Sequence, residues 1–275
     1  MSSRNSGQTR TTGFSLIEVA IAVFVITLLL GGILVPLTTQ VERRKTEETN
    51  RILDQAREAL IGYAAANGYF PCPASATSNG QEPVGTNHAI VAVNTCPAAV
   101  WGANMYHGFL PAATLGFTPV DTNGYAVDAW GLTQNRIRYS VSNVTVNGIT
   151  QPFTRVSGMR NAGMSNISSA PTLLYVCNNG TNVSATISPY CNLPQTLTLG
   201  SSVPVLIWSV GPNAATTGGA SADEAQNPNP VGGSADRIFV SKTKSSVAGS
   251  EFDDIVMWLG SATIFNRLIA AGQLP

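Results

Sequence analysis

The chain has 275 residues, 15 Lys and Arg against 15 Asp and Glu, and only 11% charged residues. A net charge of zero with so few ionised groups leaves no electrostatic footprint for DNA or RNA, so no nucleic-acid partner is indicated. The length allows one large domain or two small ones. Two histidines, His88 and His107, and four cysteines that form no Cys-x-x-Cys pair give no zinc-type spacing.

The first element is an apolar run from Phe14 to Leu37, about 24 residues whose only charge is Glu18, preceded by a polar leader, residues 1–13, that carries Arg4 and Arg10 and ends in Gly13. At about 1.5 Å per residue such a run is expected to cross a bilayer once. A carboxylate within it costs roughly 2.5–3.5 kcal/mol on insertion scales, so Glu18 is expected to need a cation. Cleavage after Gly13 would supply one, as a new α-amine on Phe14. Arg43, Arg44 and Lys45 follow the run, and a count of basic residues alone would place the C-terminal side in the cytoplasm.

Gly13-Phe14-Ser15-Leu16-Ile17-Glu18 resembles the processing site of type IV prepilins and type II secretion pseudopilins. The resemblance implies cleavage between Gly13 and Phe14 by a prepilin peptidase, methylation of Phe14, and pairing of Glu18 with a neighbour's amine during assembly. It also implies an inner-membrane assembly platform and other pilin or pseudopilin subunits as partners. The placement that goes with it is a single-pass inner-membrane protein with a periplasmic globular domain, later part of a pilus or pseudopilus. The large size favours a minor subunit. The alternative is a membrane-anchored extracytoplasmic binding protein or adhesin that does not polymerise.

Gly31-Gly32 and Pro36 are expected to bend the helix, since proline removes a backbone donor. Residues 38–67 then read as amphipathic helix, with Ile52, Leu53, Ala56, Ala59, Leu60 and Tyr63 spaced by threes and fours and Gly68 as the stop. Residues 68–275 form the globular part. Its first half is rich in turn residues, among them Pro71, Pro73, Asn79-Gly80 and Asn123-Gly124. Cys72, Cys96, Cys177 and Cys191 are disulfide candidates, with local pairing favoured by the loop-like sequence between them, although three connectivities are open.

Asp128-Ala129-Trp130-Gly131 precedes a strand at 136–141, with Trp130 expected in the core and Gly131 in the turn. Further strands are expected at 172–177, 203–210, 237–241 and 254–259, with hairpin candidates at 143–149 and 182–187. Ser261 is expected to cap a last helix with Ile264, Leu268 and Ile269 inward and Gly272 at its end. The resulting fold class is α+β: a long N-terminal helix packed on an antiparallel sheet, pilin-like.

The Asp128 block and the segment from Ser209 to Asp254 are also similar to the major pseudopilins, where an acidic loop binds calcium. That likeness implies a calcium site drawn from Asp223, Glu224, Glu251, Asp253 and Asp254. Asn213 stands where that family usually has Asp. Catalysis finds no support: neither histidine has a neighbouring nucleophile motif, and no phosphate-cradling glycine loop is present. Each histidine is expected to be a surface or packing residue.

Overall fold

Helix α1, Leu16–Asn67, runs for 52 residues without a break in its assignment. The computed structural model describes residues 13, 15–89, 95–97, 105–170, 173–181, 183, 190–191, 197–213, 221–227 and 237–275, with the side chains at 30–37, 105 and 106 outside that description. Phe14 lies outside it, as does most of the 182–187 hairpin candidate. By its contacts the chain divides into two units, residues 1–46 and 47–275. Gly31, Gly32 and Pro36 do not end the helix, because one missing donor costs a single bond among those that flank it. The helix stops where expected, at Gly68, whose N–H bonds the carbonyl of Ala64 at 2.7 Å.

The expected single membrane crossing is not there. Among the described residues no helix is long and apolar enough to cross a membrane, which overturns the inner-membrane placement. In the first unit the apolar side chains of α1 are bare: Leu16 is 87% exposed, Ile17 66% and Phe24 65%.

In the second unit α1 buries Ile52, Leu53, Ala56, Leu60, Ile61 and Ala64. The spacing fits a 3.6-residue period, which carries Ile61 and Ala64 inward and leaves Ala59 partly buried. This stripe belongs to a core shared with one face of a four-stranded antiparallel sheet. In spatial order the sheet is β1 (Met105–Phe109), β2 (Arg138–Ser142), β7 (Val205–Ser209) and β9 (Ile255–Leu259). Its other face packs on a second, three-stranded sheet of β6 (Thr198–Val203), β5 (Leu174–Cys177) and β8 (Ile238–Val240), in which β5 and β8 run parallel. The class is therefore α+β.

Period-two alternation sorts the side chains between the two layers. Val205 and Ile207 of β7, with Leu259 of β9, join the helix-side core. Leu206 and Trp208 face the second sheet with Val256 and Trp258. A short hairpin, β3 (Thr145–Val146) and β4 (Ile149–Thr150), and the helices α2 (Ala112–Leu115), α3 (Gly158–Ala162) and α4 (Met164–Ser168) add side chains to the helix-side core. The hairpin turns at Asn147-Gly148, both with positive φ, as a two-residue loop requires.

Three local expectations differ. The apolar stretch 203–210 is interrupted by Pro204, where β6 ends and β7 begins, since proline has no N–H to give a ladder. In α5, Ser261–Ala270, Ser261 does not cap; its Oγ donates across to the Ser202 carbonyl at 3.2 Å. Ile264, Phe265 and Leu268 face inward while Ile269 is 43% exposed, one residue of helical rotation past the buried stripe. Both local disulfides are present, Cys72–Cys96 and Cys177–Cys191.

Leu60 is fully buried where the helix meets the sheet. Leu60→Ala is therefore expected to lower unfolding free energy by about 2–5 kcal/mol. A urea titration of the two proteins checks this, with the midpoint falling and the slope unchanged.

Candidate functional site

The N-terminal residues singled out by the sequence open α1. Gly13 is exposed, and Glu18 stands one turn into the helix, also exposed. The Ser15 N–H donates to Glu18 Oε2 at 2.9 Å. A carboxylate three residues past a Ser that bonds back to its N–H is half of a capping box, and it also favours the positive end of the helix dipole. Within its own chain Glu18 thus has one neutral donor, the Ser15 N–H. The signal for this was legible in Ser15-Leu16-Ile17-Glu18.

The second site lies at one end of β7 and β9. Asp128 is 3% exposed and is the hub. It accepts hydrogen bonds from Ser209 Oγ, from Asn135 Nδ2 at 3.0 Å and from the Trp130 N–H at 2.9 Å. Asn135 Nδ2 also donates to the Gly211 carbonyl at 2.6 Å, and the Gly211 N–H donates to Ser209 Oγ at 3.1 Å. The turn at 128–131 is thereby tied to the end of β7. Gly131 makes that turn, its N–H bonding the Asp128 carbonyl at 3.1 Å. Trp130, expected in the core, is only half-buried, because the buried member of the block is Asp128, whose hydrogen bonds fix the turn. Asp128, Asn135 and Ser209 are the residues that sequence reasoning missed. A short polar side chain just before Trp-Gly could have hinted at a local turn bond, but not at burial.

Gly211 has φ +64, and a Cβ there would fall 2.2 Å from Asp253 Oδ1, so only glycine fits against this carboxyl. Asn213 Nδ2 donates to both oxygens of Glu224, at 3.1 and 3.0 Å, and Glu224 Oε1 accepts the Asp253 N–H at 3.0 Å. Asn227 donates to Asp254 Oδ2 at 2.7 Å and to the Val240 carbonyl at 3.0 Å. Asp223 pairs with Lys242 and accepts the Gly180 N–H at 2.6 Å. The Glu251 carbonyl accepts from Ser221 Oγ at 2.6 Å.

Burial governs the electrostatics. It pushes the Asp253 carboxyl up to about 7, aided by the charge of Glu224. Burial also holds Asp254 well above the ordinary carboxylate range, and raises Asp128 against the hydrogen bonds that favour its ionised form.

No family model, characterised protein or solved structure matches this chain.

Of the five acids expected to hold calcium, the structure brings Glu224 against Asp253 and commits the others to nearby groups. Asp223 serves an ammonium and Asp254 an amide. Oxygens of one calcium shell, at 2.3–2.6 Å from the ion, lie within about 5 Å of each other. Among the described residues no three of these acids bring ligand oxygens within 4.8 Å of one another.

His107, expected in a loop or packed, lies on β1 and is 2% exposed, edge-on to Trp208 and Phe239 at 6.1 and 5.6 Å between ring centres.

A carboxyl with its folded pKa near 7 against an ordinary 3.8 binds its proton more tightly in the folded chain. Its contribution therefore favours folding at low pH and declines as pH rises from about 4 to about 7. Asp253→Asn is expected to flatten the melting temperature across that window and to raise it at pH 8. An unchanged slope would assign the dependence to Asp254 or Asp128 instead.

Proposed function

We propose that this chain is a prepilin-like subunit, cut between Gly13 and Phe14 and assembled through α1 into a pilus- or pseudopilus-type filament, as a minor subunit. The observation that carries the reading is the exposed apolar surface of residues 16–29, with Leu28 and Leu29 at 61% and Ile21 at 58%. A helix that is apolar on all sides and uncovered is a surface that must be buried by something else. Parallel copies of the same helix offer matching apolar length, and the leader motif supplies the chemistry that releases them. In such a bundle the new amine of one Phe14 can take over the Glu18 carboxylate of the next chain from its own Ser15 N–H. That exchange would set the axial register.

The capping bond makes the test two-sided. Glu18→Gln keeps a side chain able to accept the Ser15 N–H but removes the charge, whereas Glu18→Ala removes both. The proposal expects both variants to fold, by circular dichroism, and both to drop out of sheared filaments. Incorporation of Glu18→Gln at the wild-type level would reduce Glu18 to a helix cap. Full incorporation of both variants would favour a binding protein that does not polymerise.

Processing has its own readout. Intact mass of the native protein is expected to lack residues 1–13 and to carry one extra methyl group. An unmodified chain that still begins at Met1 would sink the reading.

A further inference from the structure

Beneath the helix end, the Cys72–Cys96 disulfide sits beside Glu82 and His88. Cys72 is fully buried and Cys96 is 2% exposed, and the side chains of Glu82 and His88 are each 15% exposed. Cys72 Sγ, a Glu82 carboxylate oxygen and a His88 ring nitrogen all lie within 4.8 Å of one another. Among the described residues this is the one group of three or more such side chains with that convergence.

The histidine is oriented. Its Nδ1 is 2.6 Å from the Thr154 carbonyl oxygen, which can only accept, so Nδ1 carries the hydrogen. Nε2 points at Glu82 Oε1, 3.0 Å away. Tyr69 stacks on the ring with centres 4.2 Å apart, and the Val156 N–H bonds the His88 carbonyl at 3.0 Å. Glu82 is fixed as well: its N–H donates to Thr114 Oγ1 at 3.0 Å, and its Oε1 accepts the Cys72 N–H at 2.6 Å. A ring held through Nδ1–H by a backbone carbonyl, with Nε2 turned to a carboxylate and sulfur, is the arrangement that metal-binding histidines adopt.

In the oxidised chain the sulfurs are joined to each other, and Nε2 of His88 faces the Glu82 carboxylate. Reduction changes the donor set. Ligands around a tetrahedral zinc ion, bonded at about 2.0–2.3 Å, stand about 3.3–3.8 Å apart. Cys72, His88 and Glu82 lie within 4.8 Å of one another and so need to close by only about 1 Å to reach that spacing, while Cys96, bonded to Cys72 in the oxidised chain, has to swing its freed sulfur toward them to complete the set.

We infer that, with the Cys72–Cys96 bond reduced, Cys72, Cys96, His88 and Glu82 form a tetrahedral site for a zinc-class divalent cation, so that disulfide and metal are mutually exclusive states of one locus. A dithiol gives two electrons and two protons to the Cys72–Cys96 bond and is itself oxidised to a disulfide. The metal then displaces both thiol protons to solvent and takes the Nε2 lone pair of His88, while Nδ1–H stays on the Thr154 carbonyl. The same reduced state precedes oxidation of the newly made chain, where a bound cation would hold the two thiolates apart from premature pairing with Cys177 or Cys191.

The test uses the full chain, phosphine-reduced under anaerobic conditions, with Co2+ and then Zn2+ as probes. Reduced protein is expected to take up one Co2+ with thiolate-to-cobalt charge-transfer absorption that Zn2+ abolishes, and oxidised protein to take up none. His88→Gln and Glu82→Gln should each weaken binding at least tenfold, while the Cys177→Ser/Cys191→Ser double variant keeps it. In case reduction loosens the fold, the second readout is the rate at which each disulfide re-forms, followed by alkylation and peptide mass. Zn2+ should slow Cys72–Cys96 and spare Cys177–Cys191, and His88→Gln should remove that difference. No cobalt uptake by the reduced chain, or uptake and re-oxidation rates indifferent to His88 and Glu82, would overturn the inference.

Discussion

The two inner strands of the four-stranded sheet, β2 and β7, have no wet face, and most of the structure follows from that constraint. All five residues of β2 and of β7 are buried, so both layers against the sheet are obligatory. The second half of α1 covers one face with Leu53, Leu60 and Ala64. The β5–β6–β8 sheet covers the other through Leu174, Val176 and Phe239. A strand buried on both sides loses the usual alternation of polar and apolar residues, which is why Val205-Leu206-Ile207-Trp208 reads as an unbroken apolar run.

The same burial explains the acidic end of the molecule. Where β7 and β9 meet the loops, Asp128, Asp253 and Asp254 come within the reach of a poorly solvated interior. Burial raises all three carboxyls above their ordinary range, because ionising a carboxyl in a poorly solvated interior is costly. Donor side chains meet the acids of this region: Asn135, Ser209, Asn213 and Asn227 all bond to them. The region looks acidic in sequence and is, in the structure, a hydrogen-bonded joint between loops.

Legibility followed locality. The stop of α1 at Gly68, the strands β2 and β9, the helix α5 and the local pairing of the cysteines each rest on a short-range pattern. β1 escaped because Met105-Tyr106-His107-Gly108-Phe109 has a glycine and a histidine where a strand signal would be; His107 is inside only because Trp208 and Phe239 surround it. β6, with Leu199-Gly200-Ser201-Ser202, is a polar edge strand without a periodic signature. In the candidate sites, Glu18 was visible as an exceptional carboxylate, yet its bond to Ser15 N–H belongs to helix geometry. Asp128 drew notice only as part of a Trp-Gly block.

The amino-acid order by itself determined where the helix begins its apolar stretch, where it ends, which segments extend and which cysteines lie close along the chain. Those are properties of neighbours within a few residues, fixed by backbone stereochemistry and side-chain spacing. Only the tertiary structure decided that Asp223 goes to Lys242, that burial raises the Asp253 carboxyl, and that His88 and Glu82 stand against Cys72. These depend on packing between segments tens to hundreds of residues apart, where desolvation and the last ångström of approach choose among partners that the chain order leaves equivalent.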